Sequence, residues 1–231
     1  SLLQKEFWNI FYQKKINFFY GVPYTFEILN KLKFFKKKCS ELLAIAQAGG
    51  KLNEELQKKI VDFSMKNKNK FFVMYGQAEA TTRISYVPYN LIKKKIGSIG
   101  IPVRNGNISI IKEKKTKSDS GEIFYKGPNV CMGYAFNNLD LKKGDIWKGS
   151  LFTGDIGKKD KDGFFYIIGR KKRTCKILGN SINLDEIEDI LKNKFKNKSF
   201  FAISNDKLIK INISNINKKK EIVNFLSKIL H

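Results

Sequence analysis

The stretch Phe72-Val73-Met74-Tyr75-Gly76-Gln77-Ala78-Glu79-Ala80-Thr81 runs from an apolar strand straight into a glycine, an amide and a carboxylate. A buried strand that stops this way is shaped for a ligand, because open α/β sheets bind ligands at the carboxyl ends of their strands. Gly76 lets the backbone turn and lets a ligand come close. Tyr75 offers a flat face for a base. Glu79 offers the hard oxygens that magnesium prefers beside phosphate. Taken alone, the same residues also fit an ordinary strand end with a surface glutamate.

Upstream of this strand, helix and strand signals alternate. Leu2 to Tyr12 reads as a short helix, Ile16 to Val22 as a strand closed by Pro23, and Thr25 to Leu32 as a helix. Leu42 to Ala46 reads as a short buried strand ending at Gly49-Gly50. Asn53 stands where a helix cap belongs, ahead of the amphipathic run Leu56, Ile60, Phe63. Such alternation predicts a parallel α/β sheet.

From about residue 97 the texture changes to glycine, proline and short alternating runs: GSIGIPV, NISIIKEK, GEIFYKG, LFTGDIGK and DGFFYIIGR. These predict a mainly antiparallel β unit, with residues 112–121 as a polar hairpin tip. A third texture begins near Lys172. Asn183 and Glu186 have the spacing of a capping box. Leu184, Ile187, Leu191 and Phe195 then form one apolar stripe at helical spacing. Two strands follow, at Phe200 to Ile203 and Leu208 to Ile213, and a last helix with Ile222, Phe225, Leu226 and Ile229 on its apolar face.

Composition narrows the function classes. The 231 residues carry a formal net charge of +24, which raises the question of nucleic acid. Arginine, the side chain that makes bidentate contacts to phosphate and guanine, stands only at Arg83, Arg104, Arg170 and Arg173. A lysine-heavy, asparagine- and phenylalanine-rich surface is what AT-rich codons produce, so a nucleic-acid partner is not expected. The sole histidine is His231, which removes a Ser-His-Asp triad and a His-ligated zinc from consideration. Cys39, Cys131 and Cys175 have no metal-ligand spacing, and a reducing cytoplasm is the expected location. No apolar run approaches the roughly 18 residues that a bilayer span needs. Ser1 is not an initiator methionine, and residues upstream are expected.

Downstream of MYGQAEAT come Thr153-Gly154-Asp155, Gly169-Arg170-Lys171-Lys172, Lys176 to Gly179 and Glu186-Ile187-Glu188. In this order, together with VPYTFEIL, QAGGKL, GSIGIPV, GEIFYKGPNVCMGY and LFTGDIG, the chain resembles the AMP-forming adenylating enzymes. These include acyl-CoA synthetases, peptide-synthetase adenylation domains and luciferases. The resemblance implies an α/β fold in which residues 1–96 end a large adenylating domain. Residues 97–171 would form its antiparallel β subdomain, and residues 172–231 part of a small, mobile α/β C-terminal domain. It implies ATP-dependent activation of a small carboxylic acid to an acyl-adenylate. Transfer to a thiol follows, either coenzyme A or the phosphopantetheine of an acyl carrier protein.

The resemblance also implies roles for residues. Gly49 and Gly50 would pack against adenine, with Tyr75 on its other side and Gly76, Gln77, Ala78 and Ile167 lining the nucleotide. Glu79 would hold Mg2+. Position 78 is threonine in many relatives, where the hydroxyl meets the α-phosphate; Ala78 lacks it. Asp155 would accept from both ribose hydroxyls, and Arg170 would donate to the same sugar. Lys172 matches the hinge, and Gly179 the loop that lines the thiol channel. Val22, Tyr24, Phe26, Gln47 and Ile99 fall where the acyl pocket would be, and their mix leaves the acid open. Gly127, Gly133 and Tyr134 read as turn and packing residues, and Trp8 and Trp147 as packing aromatics. The family's Ser/Thr/Gly-rich triphosphate loop and its C-terminal Gly-Lys have no counterpart in these 231 residues. The chain alone is therefore expected to turn over poorly. A piece that only binds nucleotide or a partner is the competing expectation.

Overall fold

The computed structural model describes residues 1–112, 119–177, 180–195, 200–204, 209–213 and 219–229. The chain divides into two compact units. The first comprises Ser1–Thr153 and Gly157–Ile167, the second Gly154–Ile156 and Ile168–His231.

The first unit opens with α1 (Lys5–Gln13), β1 (Phe18–Gly21), α2 (Pro23–Lys31), β2 (Ala44–Gln47), α3 (Glu54–Asn67) and β3 (Lys70–Tyr75). Strands β1, β2 and β3 pair in parallel, in the register Phe19, Ile45, Phe71 across the sheet. The connections from β1 to β2 and from β2 to β3 each contain a helix, as parallel pairing requires. Pro23 does more than close β1. It occupies the first turn of α2, where its missing N–H costs nothing and its fixed φ suits a helix. Asn53 caps α3 as its sequence position predicts, its side-chain oxygen accepting from the Leu56 amide at 3.1 Å. Leu56, Ile60 and Phe63 are buried against Phe26, Ile45 and Phe71 in the main core.

The parallel pattern stops at β3. β4 (Ser85–Val87) runs antiparallel to β3, and β5 (Ile101–Pro102) antiparallel to β4. The change of texture near residue 97 therefore does not coincide with a change of sheet, since the GSIGIPV segment closes the first one. A second sheet follows in the order β6 (Asn107–Ile111), β7 (Gly121–Lys126), β8 (Ser150–Lys159) and β9 (Phe165–Arg170). Its core places Ile108, Ile123, Tyr125, Leu151 and Phe165 with Tyr75 and Ile84. Trp8 packs on Phe34 and Trp147 on Tyr134, as packing aromatics should.

The second unit holds the hairpin β10 (Thr174–Ile177) and β11 (Asn180–Asn183), then α4 (Leu184–Lys194), the hairpin β12 (Phe200–Ser204) and β13 (Ile209–Ile213), and α5 (Lys219–Ile229). Leu184, Ile187, Leu191 and Phe195 are all buried, as their spacing predicts. The β10–β11 hairpin has no strand signal in our reading of the sequence. The capping-box side chains of Asn183 and Glu186, and Gly179, lie outside the described residues. Among the described residues, no helix is long and apolar enough to cross a membrane.

Candidate nucleotide site

In the first unit, the end of β3 turns sharply. A Cβ on Gly76 would fall 2.2 Å from the carbonyl oxygen of Thr82, so only glycine fits. The closeness that the sequence suggested for a ligand is thus already used by the chain itself. Gln77 to Thr82 doubles back in a tight 3-10 turn over Ala78–Ala80, and the Thr82 amide returns to the Gln77 carbonyl at 2.9 Å. The Ile84 amide then donates to the Tyr75 carbonyl at 2.8 Å and restarts the sheet. Gln77 spends its amide on the Thr153 carbonyl at 2.8 Å. Tyr75 is only 9% exposed and packs with Ile84, Ile99 and Ile123. Most of the ring expected to face a base is therefore turned to the core.

The turn is held from a segment that the sequence marked for turns and packing alone. The Asn129 side chain donates to the carbonyls of Ala80 and Arg83, both at 2.7 Å, and accepts from the Tyr125 phenol at 2.7 Å. The Cys131 amide donates to the Glu79 carbonyl at 2.8 Å. The Tyr134 phenol donates to Oε1 of Glu79 at 2.5 Å. That phenol, aided by the residue's own amide, holds the Glu79 carboxyl below the usual carboxylate range, and the same bond pushes Tyr134 up. Asn129 and Tyr134 are the residues that the sequence reading missed as parts of this site.

Glu79 suits magnesium as one ligand among several. Its carboxylate is a hard oxygen donor, half-exposed and ionised. Among the described residues, no group of three or more acidic, histidine or cysteine side chains gathers to hold a metal unaided. One carboxylate plus phosphate oxygens and water is the coordination that magnesium commonly takes.

The glycine pair also belongs to the first unit. Gly49 has φ +80, a conformation that favours glycine, and both Gly49 and Gly50 are exposed. Gln47, 1% exposed, donates to the Gly50 carbonyl at 2.8 Å and so shapes this loop from beneath. Of the residues expected at the acyl pocket, Phe26 and Ile99 are core residues at 0% and 8% exposure, whereas Val22 and Tyr24 are exposed. Ile167 is half-buried against the second core.

In the second unit, Asp155 and Arg170 pair with each other. Nε of Arg170 lies 3.0 Å from Oδ1 of Asp155, the carboxylate being nearly inaccessible and the guanidinium largely exposed. The Arg170 amide donates to Asp185 at 3.1 Å. Lys172 is exposed within a 3-10 turn. It precedes Arg173, which is rooted by Asp185 at 2.8 Å, by the Ala202 carbonyl at 2.9 Å and by Glu188.

Known proteins resemble this chain in sequence and in fold. The chain is 35% identical over 119 residues to a 2-succinylbenzoate–CoA ligase of Bacillus cereus, a match covering 51% of this chain and 24% of that protein. It is 38% identical over 122 residues to a probable 4-coumarate–CoA ligase of Dictyostelium discoideum, covering 51% of this chain and 22% of that protein. Among solved structures, the unliganded O-succinylbenzoate coenzyme A synthetase of Bacillus subtilis superimposes with a TM-score of 0.73 at 21% identity. That match covers 99% of this chain and 49% of the solved one, so the chain spans about half the length of the protein whose fold it shares. The sequence signature of the AMP-binding enzyme family matches residues 1–135, more than half of the length, and the chain belongs to that family.

Proposed function

We propose that this chain carries the adenosine side of an ATP-dependent ligase that converts a carboxylic acid to an acyl-adenylate and passes the acyl group to a thiol. The observation that carries the reading is the turn at Gly76, which sets an ionised, oriented Glu79 just beyond the carboxyl end of β3. Its relatives support the chemistry. They include CoA ligases, and one solved structure similar in fold is a complex with ATP and magnesium.

In this reading the exposed backbone of Gly49-Gly50 and the accessible part of Tyr75 receive the adenine. Asp155 accepts from the ribose hydroxyls, which suits a carboxylate with two acceptor oxygens, and Arg170 donates to the same sugar. The substrate carboxylate attacks the α-phosphorus, forming the acyl–phosphate bond as the bond to pyrophosphate breaks. A thiolate, from coenzyme A or a carrier-protein pantetheine, then attacks the acyl carbon and AMP leaves. Glu79 would hold magnesium, which when bound neutralises phosphate charge. Lys172 is kept as the hinge. The free thiols of Cys39 and Cys131 fit work in a reducing cytoplasm.

Ala78 favours a second reading, in which the chain binds nucleotide without efficient adenylation, because no hydroxyl stands at that position. Calorimetric titration with AMP tests the site. Wild type is expected to bind, and Asp155→Ala to lose about tenfold or more in affinity, the loss of one charged hydrogen-bond partner. Equal affinity in the two proteins, or no AMP binding by wild type, sinks the proposal. ATP–pyrophosphate exchange over a panel of acids then separates the ligase from the binder.

A further inference from the structure

We infer that Tyr134 is a positioning residue for the metal carboxylate, fixing Glu79 so that its second oxygen meets the cation. The inference rests on the reading of Glu79 given above.

The geometry is unusual in gripping one residue at both ends. The Cys131 amide holds the Glu79 backbone carbonyl at 2.8 Å, and the Tyr134 phenol holds its side chain at 2.5 Å. Both donors lie on one segment, and Asn129 ties that segment to the same turn through the Ala80 and Arg83 carbonyls. The carboxylate and its phenol are therefore mounted on segments tied to each other by several hydrogen bonds.

Tyr134 is itself fixed. Its ring meets Trp147 edge-on at 5.0 Å and Phe136 at 6.1 Å, although it is 56% exposed. An exposed phenol packed against two aromatics and aimed at a carboxylate 55 residues away does little for the core. Its effect is to choose a rotamer for Glu79. A free glutamate side chain samples several rotamers, and binding a cation would have to select one. With Oε1 committed to a phenol, the carboxylate keeps lone pairs on Oε2 for a metal. Partners that hydrogen-bond a metal ligand in this way commonly change metal affinity by about 10–100-fold.

The test measures binding rather than turnover. The probe is α,β-methylene-ATP, which cannot be split at the bond that adenylation breaks. Its affinity is measured with excess magnesium and again in EDTA, for wild type, Tyr134→Phe, Glu79→Gln and the double variant. Magnesium is expected to strengthen binding to wild type, and Glu79→Gln to abolish that enhancement. Tyr134→Phe, which keeps the ring, is expected to reduce the enhancement about tenfold while leaving the EDTA affinity unchanged. It should have no further effect in the Glu79→Gln background.

An unreduced enhancement in Tyr134→Phe, beside a lost one in Glu79→Gln, overturns the inference alone. So does a parallel fall in both affinities, which marks a general distortion of the turn. An enhancement that survives Glu79→Gln, or none in wild type, overturns the magnesium reading of Glu79 and the inference with it.

Discussion

Asn129 shows how much one side chain can carry. Its amide serves three partners, the carbonyls of Ala80 and Arg83 and the phenol of Tyr125, and Tyr125 is fully buried. Asn129→Ala strands all of them. It is expected to cost about 2–3 kcal/mol in chemical denaturation, since a buried polar group left unmade costs on the order of 1–3 kcal/mol. Asn129→Asp keeps the acceptor for Tyr125 but turns a carboxylate toward two carbonyls, so it should be no better than alanine. A loss under about 0.5 kcal/mol in either variant, the range of ordinary surface changes, would remove Asn129 from its role in holding the turn. What was readable at this scale follows from chemistry close in sequence. Glycine at position 76 announced a tight turn, although Thr82 rather than a ligand now accounts for it. The roles of Asn129 and Tyr134 were unreadable because the turn that they hold lies 46 to 55 residues away, and no local pattern encodes which carbonyl or carboxylate they will meet.

The turn between β8 and β9 is organised around Asp160. Its Oδ1 accepts from the amides of Asp162 at 3.0 Å and Phe164 at 2.9 Å. Its Oδ2 accepts from Lys95 Nζ at 2.7 Å and the Tyr166 phenol at 3.1 Å. Lys95 also meets Asp162 at 2.5 Å and lies over the Phe164 ring at 4.7 Å, so the approach to β5 is fastened to the hairpin. Burial pushes the Asp160 carboxyl up, but Lys95, the Phe164 amide and Tyr166 together outweigh it and leave it below its ordinary value. Hydrogen bonds to Asp160 and then Asp162 raise Lys95 above its own. A lowered carboxyl stabilises the fold above its unfolded value of about 3.9, and that stabilisation is lost as pH falls through the folded value. A raised lysine stabilises below its unfolded value of about 10.4, and that is lost as pH rises through the folded one. The cluster should therefore act between those limits. Thermal unfolding against pH is expected to show Asp160→Asn less stable at neutral pH by about 1–3 kcal/mol, with a shallower fall in acid. Parallel acid limbs would exclude Asp160 as a source of that fall. Elements with a periodic core face were readable: α3 from its cap and stripe, α4 from four apolar positions at helical spacing. β5 pairs antiparallel with β4 while Gly100, just before it, bridges Phe165 of β9, and a two-residue strand carries no period that would announce this double pairing. The β10–β11 hairpin carries no strand signal because each strand is four residues long and holds only one or two apolar positions.

Over the whole molecule, the family was legible because its motifs recur in order, whereas the covering of each sheet face was not, since that is a property of layers. Parallel strands are normally buried on both faces. Here Phe19, Ile45 and Phe71 share one face of the first sheet and lie in a core with residues of α2 and α3. The other face carries Phe18, Tyr20, Phe72, Met74 and Tyr86, of which Phe18, Tyr20 and Tyr86 are 53%, 47% and 36% exposed. Among the described residues, Arg83 lies over the Tyr20 ring at 5.7 Å and Tyr89 beside Phe72 at 5.9 Å, which covers this face in part. Contiguous apolar surface of this kind takes up apolar probes. An anionic dye would respond to the net charge of +24 as well, so the measurement calls for a neutral one such as Nile red. The chain is expected to enhance its fluorescence. Phe18→Ser combined with Tyr20→Ser, on the edge strand β1, should remove about half of that signal without lowering the unfolding midpoint by more than a few degrees, because both side chains are largely exposed already. Phe136→Ser, at a residue 87% exposed and outside the sheet, serves as the control and should leave the signal unchanged. Equal losses in the two variants would place the apolar surface elsewhere, and no enhancement at all would mean that the face is covered in solution.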